Sequence, residues 1–329
     1  MTVHNAVPHL DEIQAPIRER LDAVVDEIRR IVVSDFAPVE TVNEYLMKIR
    51  GKLFRPGLVL LCDELAGTPT PQAETLAAVL ELVHLATLVH DDAVDHSVLR
   101  RGMPTVNALW SHQVAIIMGD YLYTRSLMEI TRLGRLDAIQ VLANAANDMT
   151  VGEMRQLSSH DALDFSQDDY YRLIDAKTAS LMAAACELGA LSGAPRYSQQ
   201  VRTFGRELGL AFQIADDLLD YTADSAVTGK PTGLDLREHK VTLPLIAVLP
   251  HLDADERARV EALFAHPEPS DEMIAGVVQI VRARGGLEYA HDAAQACARR
   301  AAEALEGLPA GPAVDALRDS IVYAVERRR

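Results

Sequence analysis

The chain is organised around residues 76–101, LAAVLELVHLATLVHDDAVDHSVLRR. A long apolar run ends there in three carboxylates within five residues, Asp91, Asp92 and Asp95. In an α-helix, Asp91 and Asp95 share one face, and apolar side chains continue that face upstream. Because like charges one turn apart destabilise a helix by roughly 0.2–0.5 kcal/mol, this pattern indicates that something positive binds there.

The same pattern returns far downstream, where Asp216, Asp217 and Asp220 end a predicted helix over residues 196–220. The face above Asp216 carries Gly205 and Gly209, and each glycine costs a helix roughly 0.5–1 kcal/mol relative to alanine. Such a face allows a ligand or another part of the protein to approach the helix closely. Simple helix–helix packing explains the two glycines as well. Only folding can bring the two acidic clusters together.

The bulk composition excludes several classes of protein. The chain has 329 residues, of which 49% are hydrophobic, enough to bury a large core. A net charge of −16 argues against binding nucleic acid or an anionic membrane through bulk charge. Cys62, Cys186 and Cys297 are scattered singly, which predicts free thiols in a reducing compartment. Without a signal-like start or about 18 uninterrupted apolar residues, we expect a cytoplasmic protein with no stable membrane insertion.

Helical periodicity runs through nearly the whole chain, from the apolar residues between Ile13 and Ile31 to a last amphipathic stretch over 312–325. There is no linker, no repeat of 20–50 residues and no strand–helix alternation. We therefore predict an all-α fold with one domain over 1–329. The long irregular stretch 221–240 is predicted to be a lid, and residues 100–105 to be a basic, turn-rich loop.

Six aspartates with few histidines or cysteines nearby favour a hard cation. Mg²⁺ takes oxygen ligands and bridges carboxylates to phosphate oxygens, whereas Zn²⁺ would require histidine or cysteine. Basic side chains that supply candidate phosphate contacts are Lys52, Arg55, Arg100, Arg101, Lys177, Lys230 and Lys240. Together with the apolar stripes, these features indicate a ligand with a phosphate head and a hydrocarbon tail.

Each feature alone has a simpler explanation. An acidic triplet is more often a solvated helix face or a cap than a metal site, and each isolated base has about even odds of being surface charge. Two matching acidic motifs, each after an apolar helix and each followed by a loop with bases, favour the metal interpretation. A lone histidine is more often a core residue, but His84 shares the face of Asp91, which favours ligand contact.

At these residues the chain resembles the trans-isoprenyl (polyprenyl) diphosphate synthase family, from about Leu53 to the C-terminus. The likeness depends on an ordered set of motifs: residues 91–95 and 216–220, Arg100-Arg101-Gly102, Lys177-Thr178, Phe212-Gln213 and Gly229-Lys230. Residues 86–127 look most like bacterial octaprenyl-type synthases. The resemblance implies a large helical bundle around a central cavity, of the isoprenoid synthase type, and a homodimer.

The resemblance also implies a reaction, the condensation of an allylic diphosphate with isopentenyl diphosphate, and a role for each motif residue. Three Mg²⁺ ions per site would be held by Asp91, Asp95 and Asp216, with shells completed by Asp92, Asp217 and Asp220. The allylic diphosphate would contact Arg100, Lys177, Lys230 and Lys240. The isopentenyl diphosphate would contact Lys52, Arg55, His84 and Arg101. Oxygens facing the developing cation would come from Gln213 and Thr178.

Product length should be limited by the side chains below the first acids. Ala86 and Thr87 are small and Val83 is of modest size, whereas short-chain family members have an aromatic residue or an insertion in this region. The floor is expected on the facing helix, near Tyr123, Leu127 or Met128. We predict a long product, around an octaprenyl chain, with geranylgeranyl as the main alternative.

The sequence departs from the family pattern at two places, and two other functional classes compete with the synthase interpretation. Arg50-Gly51-Lys52-Leu53 replaces the usual Gly-Gly-Lys-Arg, and His239 stands where glycine commonly precedes Lys240. A terpene cyclase also uses an aspartate motif and Mg²⁺, but it would not need the second motif or the isopentenyl-binding bases. A non-catalytic subunit of a heteromeric synthase is expected to lose motif aspartates, and this chain keeps all six.

Overall fold

The computed structural model describes residues 7–49, 51–158, 162–222 and 233–326, and these are helical almost throughout, which confirms the all-α prediction. The first half contains α1 (Leu10–Ile13), α2 (Arg18–Val32), α3 (Ala37–Lys48), α4 (Phe54–Asp63), α5 (Gln72–Val94), α6 (Val106–Leu109) and α7 (His112–Arg132). The second half begins with α8 (Leu136–Ser158), α9 (Gln167–Ile174), α10 (Ser180–Gly193) and α11 (Ser198–Thr222). It continues with α12 (Leu234–Arg237), α13 (Leu243–Val248), α14 (Ala254–Ala265), α15 (Asp271–Ala283), α16 (Gly286–Ala304) and α17 (Pro312–Glu326).

Short irregular elements connect these helices. An antiparallel hairpin of β1 (Leu99–Arg100) and β2 (Met103–Pro104) follows α5, where the sequence predicted only a loop. A π-helical turn, Asp175–Ala179, separates α9 from α10. Turns of 3₁₀-helix cover Ala15–Ile17, Glu64–Ala66, Ala162–Asp164, Pro195–Tyr197 and Leu249–His251. Lys230 and half of the predicted lid 221–240, residues 223–232, lie outside the described residues.

The first acidic motif ends the central helix of the bundle. Leu76, Val79, Leu80 and Val83 of α5 are fully buried, and α5 packs against α2, α4, α7 and α10. By length and composition, α5 is also the one helix in the described part of the chain that could cross a membrane. More than half of its apolar window is buried inside the protein, as expected for a core helix.

The glycine face of α11 packs directly against α10 and the π-helical turn. A Cβ atom at Gly205 would lie 2.6 Å from a backbone carbonyl oxygen of α10, and one at Gly209 would lie 2.5 Å from the Cα of Ala179. Side chains larger than hydrogen are therefore excluded at both positions. This close approach brings the second acidic helix against the turn that carries Lys177 and Thr178.

Two hydrophobic clusters meet along α11. Phe204 and Leu208, in its first half, belong to a cluster built mainly by α1–α8, α10 and α17. Ile214 and Tyr221, in its second half, belong to a cluster built mainly by α9 and α12–α16. The second acidic motif lies on the part of α11 that packs with the second cluster. The three cysteines are free and buried in these clusters.

Candidate active site

The ends of α5 and α11 border one open cleft of about 1310 Å³. Asp95 of the first motif and Asp217 of the second both line it, so folding brings the two distant clusters to one site. Four other side chains that the sequence singled out line the same cleft: Lys177, Thr178, Gln213 and Lys240. The cleft therefore combines carboxylates, cations and neutral hydrogen-bonding groups.

The first motif occupies the C-terminal end of α5. Asp95 is the residue after the last helical position, and its backbone N–H donates to the carbonyl oxygen of Asp91 over 2.8 Å. Burial raises the pKa of Asp91 from 3.8 to about 6, reinforced by Glu153 and opposed by Lys177. Loss of water thus disfavours the Asp91 carboxylate, and a bound cation would restore its charge.

Asp92 faces a different neighbour, as a helical rotation of about 100° from Asp91 requires. It is only 5% exposed, and both of its carboxylate oxygens accept a hydrogen bond from Arg100 Nε over 2.8 Å. Arg100 Nη2 lies 2.8 Å from the same carboxylate. This paired contact holds the guanidinium of Arg100 at the end of α5.

The neighbouring Arg101 contacts another part of the protein. It occupies the tight turn between β1 and β2 with a φ of 52°, and its Nη1 donates to the carbonyl oxygen of Ile49 over 3.2 Å. A Cβ atom at Gly51 would lie 2.9 Å from that Nη1. Glycine at position 51 therefore leaves room for the guanidinium, which explains why this part of the family pattern is retained.

His84 and Arg55 form a partly buried pair between α5 and α4. Arg55 Nη1 lies 3.1 Å from His84 Nε2. Since a guanidinium has no acceptor, His84 Nε2 must accept, which makes the imidazole neutral with its proton on Nδ1. Burial, together with Arg55, Arg101 and Arg100, lowers the pKa of His84 well below its usual value. The contact supports a neutral hydrogen-bonding role for His84.

A second, small and mainly apolar cavity lies between α2, α3, α5 and the hairpin. His84, Arg101 and Gly51 line it. Glu81 lines it too; burial raises the pKa of Glu81, although Arg55 and Arg101 partly oppose that shift. Three of the predicted isopentenyl-binding residues, Arg55, His84 and Arg101, lie near Glu81. The side chain of the fourth, Lys52, is exposed and lines neither cavity.

The three aspartates of the second motif have different surroundings. Asp216 is exposed, whereas Asp217 is only 7% exposed and accepts hydrogen bonds from Tyr170 Oη (2.6 Å) and Gln213 Nε2 (2.8 Å). Burial raises the pKa of Asp217 to about 7, partly offset by those two hydrogen bonds. Asp220 accepts from the first two backbone N–H groups of α12, each over 3.0 Å. Asp216 is thus the most exposed of the three acids, and it is not among the side chains that line the cleft.

Lys177 and Thr178 lie in the π-helical turn, a distortion that often marks functional sites. Lys177 Nζ donates to Gln156 Oε1 over 2.9 Å and forms an ion pair with Glu153 of α8. Thr178 Oγ1 donates to Gln213 Oε1 over 2.8 Å. The turn therefore ties α8 to α11 across the cleft.

Lys240 and its neighbours follow α12 at the edge of the cleft. Lys240 Nζ donates to Glu238 over 2.7 Å, and Asp95 and Asp235 also help raise its pKa against the effect of burial. His239 has a φ of 56°, a left-handed conformation that explains the family's preference for glycine there. Its Nε2 contacts the carbonyl oxygen of His266 over 2.9 Å, which helps hold this conformation.

The donor set fits a hard divalent cation that shares its shell with other oxygens. Within the described residues, no three histidine, cysteine, aspartate or glutamate side chains are grouped to bind an ion unaided. The ion would therefore need oxygens from water or diphosphate, which is the coordination that Mg²⁺ prefers. Burial that raises the pKa of Asp91 and Asp217 is what a bound cation would counteract.

The predicted chain-length residues do not line either cavity described above. Val83 and Ala86 are 0% and 2% exposed and pack in the core. Thr87 Oγ1 donates to the carbonyl oxygen of His84 over 2.7 Å, and Leu127 is 44% exposed on α7. The tunnel interpretation of these four residues stays a prediction.

Five polar residues near the cleft or the second cavity were missed by sequence reasoning: Glu81 at the second cavity, and Glu153, Gln156, Tyr170 and Asp235 at the cleft. The clearest sequence signal belonged to Glu81, whose helical position places it on the same side of α5 as Asp92. Burial raises the pKa of Asp235 to about 8, with Asp217 and Asp220 adding repulsion. Asp235 lies near the second motif because its backbone N–H donates to Asp220, a contact between residues that are distant in sequence.

Comparisons with known proteins agree with this geometry. Residues 37–281 match the family model for polyprenyl synthetase. The chain is 36% identical to the heptaprenyl diphosphate synthase component 2 of Geobacillus stearothermophilus, covering 94% of this chain and 97% of that protein. It is 34% identical to the octaprenyl diphosphate synthase of Escherichia coli, covering 98% and 100%. It is also similar to a Caulobacter crescentus polyprenyl synthase crystallised with calcium and isoprenyl diphosphate (TM-score 0.91, 34% identity, 99% and 100% covered).

Proposed function

The chain belongs to the polyprenyl synthetase family of prenyltransferases, and from that premise we propose that it is a Mg²⁺-dependent trans-polyprenyl diphosphate synthase with a long product. Its substrates in this proposal are an allylic diphosphate and isopentenyl diphosphate. One observation supports the proposal above all others: Asp95 and Asp217 line the same cleft as Lys177 and Lys240. Carboxylates for a metal and cations for a diphosphate are thereby combined at one place.

The proposed work of the side chains follows from their positions. Lys177 and Lys240, in the cleft, donate to the oxygens of the allylic diphosphate as negative charge develops on it. Arg100, which pairs with Asp92 and lines the second cavity, is assigned to the same diphosphate. Asp91, Asp95 and Asp216 would hold Mg²⁺, which when bound would neutralise further charge on the diphosphate and so favour ionisation of the allylic C–O bond. Lys230, outside the described residues, is proposed as a further contact to this diphosphate.

The second substrate is assigned to the residues around His84. Arg55, Arg101 and Lys52 are proposed to bind the diphosphate of isopentenyl diphosphate, with the neutral imidazole of His84 donating from Nδ1. The isopentenyl double bond then attacks the allylic carbocation, and a proton leaves to the released diphosphate. Thr178 and Gln213 present oxygens to the cation, and Asp92, Asp217 and Asp220 hold the surrounding groups in place.

We further propose a product around the octaprenyl length, with geranylgeranyl as the alternative. The relatives named heptaprenyl and octaprenyl diphosphate synthases support this choice. We also propose that residues 1–329 form one domain, that the protein acts in the cytoplasm, and that two copies form a homodimer. Exposed apolar side chains on α6 and α7, such as Trp110 and Ile117, support the dimer.

The test is a product chromatogram of the purified protein incubated with radiolabelled substrates and Mg²⁺. We expect elongation only when an allylic diphosphate and isopentenyl diphosphate are both present, and none after chelation with EDTA. Products formed from the allylic diphosphate alone would indicate cyclase chemistry instead. No turnover unless another protein is added would indicate a subunit of a heteromeric synthase.

A further inference from the structure

A buried tyrosine on α9 contacts the second acidic motif. Tyr170 is 2% exposed, and its hydroxyl donates to Asp217 Oδ2 over 2.6 Å. The adjacent Tyr171 packs edge-on against the Tyr170 ring, with centroids 5.8 Å apart, and is itself half-buried. The two tyrosines are consecutive in sequence, so only their contacts in the fold distinguish them.

Asp217 connects Tyr170 to the side chains proposed to face the reacting carbon. Its other oxygen accepts from Gln213 Nε2 over 2.8 Å, and Gln213 Oε1 accepts from Thr178 Oγ1 over 2.8 Å. All four residues line the cleft. A continuous chain of hydrogen bonds therefore runs from α9 through α11 to the π-helical turn.

The direction of this chain follows from the chemistry of its members. An ionised carboxylate only accepts hydrogen bonds, so Asp217 must face the phenol O–H and the amide NH₂. The carbonyl oxygen of Gln213 is consequently turned toward Thr178. Flipping the Gln213 amide would place its oxygen against the Asp217 carboxylate, which is unfavourable.

We propose that Tyr170 is a positioning residue for prenyl transfer, because its hydrogen bond fixes Asp217 and thereby the orientation of Gln213 and Thr178. The inference rests on the proposed function. Tyr170 acts through Asp217, and the diphosphate-binding cations Lys177 and Lys240 belong to a separate set of contacts. Removing the hydroxyl should therefore affect the chemical step more than substrate binding.

The first test compares Tyr170→Phe with Tyr171→Phe, each of which removes one hydroxyl and keeps the ring. We expect Tyr170→Phe to lower kcat about tenfold, since it removes a hydrogen bond to a buried charged group. KM for isopentenyl diphosphate should change by less than about twofold, because the residues assigned to that substrate lie elsewhere. Tyr171→Phe should match wild type in both constants.

The second test repeats Tyr170→Phe in a Gln213→Ala background, where no amide remains to be oriented. There we expect the substitution to lower kcat by less than about twofold, because residues in one hydrogen-bonded network are not additive. Equal losses in both backgrounds, equal losses for the two tyrosines, or a Tyr170→Phe protein that unfolds below the assay temperature would each overturn the inference. A wild-type protein that elongates nothing would overturn the proposed function instead.

Discussion

Each carboxylate of the second motif makes a different set of contacts. Asp216 is exposed, Asp217 is buried between Tyr170 and Gln213, and Asp220 accepts from two backbone N–H groups of α12. Identical side chains thus have different surroundings, and ligand binding is proposed only for the exposed one. The spacing of the motif predicts that acids cluster, but the distribution of these contacts depends on α9 and α12, which pack against α11 only in the folded chain.

Substitutions at Asp216 and Asp220 should have separable effects. Asp216→Asn should lower kcat by about a hundredfold or more, since it removes an exposed charge proposed to bind metal, and leave Tm unchanged. Asp220→Ala should lower stability by about 1 kcal/mol, because α12 loses the acceptor for its first N–H groups. Steady-state kinetics and calorimetry on both variants check this. Equal losses of Tm would contradict the assignment.

The raised carboxyl pKa values predict how metal and pH interact. The pKa of Asp91 is raised from 3.8 to about 6 and that of Asp217 to about 7, so both groups favour the folded state while protonated. That contribution is lost as the pH rises through about 4 to 7, where the buried carboxylates become charged. Mg²⁺ should therefore raise Tm most at about pH 8 and hardly at all below about pH 5. Thermal scans with Mg²⁺ or EDTA across this range test it, and a pH-independent shift would be evidence against it.

At the scale of elements, hydrophobic periodicity was sufficient to predict most helices. The second acidic helix, predicted over 196–220, spans Ser198–Thr222, because its apolar face is continuous. The π-helical turn and the β1–β2 hairpin were not predicted. The π-helical turn was missed because it accompanies tertiary contacts, including close approaches at Gly152 and Gly209. The hairpin was missed because its turn contains the unusual pair Arg101-Gly102 rather than Asn-Gly.

The helix α5 also carries the prediction about product length. Ala86→Phe should shorten the product sharply if a growing chain passes this face of α5. Leu85→Phe is the matched comparison, because Leu85 lines the second cavity on another side of the same helix, where a ring should affect isopentenyl binding rather than product length. Chromatography of the products from both variants gives the answer. Unchanged product length in Ala86→Phe, with Tm near wild type, would contradict the tunnel assignment.

At the scale of the whole molecule, exposed apolar side chains concentrate on one part of the chain. Within the described residues, most large apolar side chains with high exposure fall between 94 and 157. Ile117 of α7 is 62% exposed and Trp110, next to α6, is 38% exposed. Exposed apolar side chains of this kind are typical of a protein–protein interface, and a second copy with two-fold symmetry would cover them in the proposed homodimer.

The dimer proposal predicts a specific effect of charge on this surface. Ile117→Asp should convert the protein to a monomer in light scattering, because each symmetric interface would bury two unpaired carboxylates. Tyr289→Asp, at a 44% exposed position on α16, is the control and should leave the mass unchanged. A monomeric wild-type protein, or a dimer that tolerates Ile117→Asp, would contradict the proposal.

The hairpin after α5 gives two consecutive arginines different hydrogen-bond partners, although both line the second cavity. Arg100 ends β1 and pairs with Asp92, while Arg101 begins a two-residue turn and reaches Ile49. A turn of this length fixes the strand register, and shifting the register by a single residue would move each guanidinium to the other side. The contacts of Arg100 with Asp92 and of Arg101 with Ile49 therefore depend on the length of the hairpin as well as on its charges. Insertions or deletions between Leu99 and Pro104 should therefore be far less tolerated than substitutions.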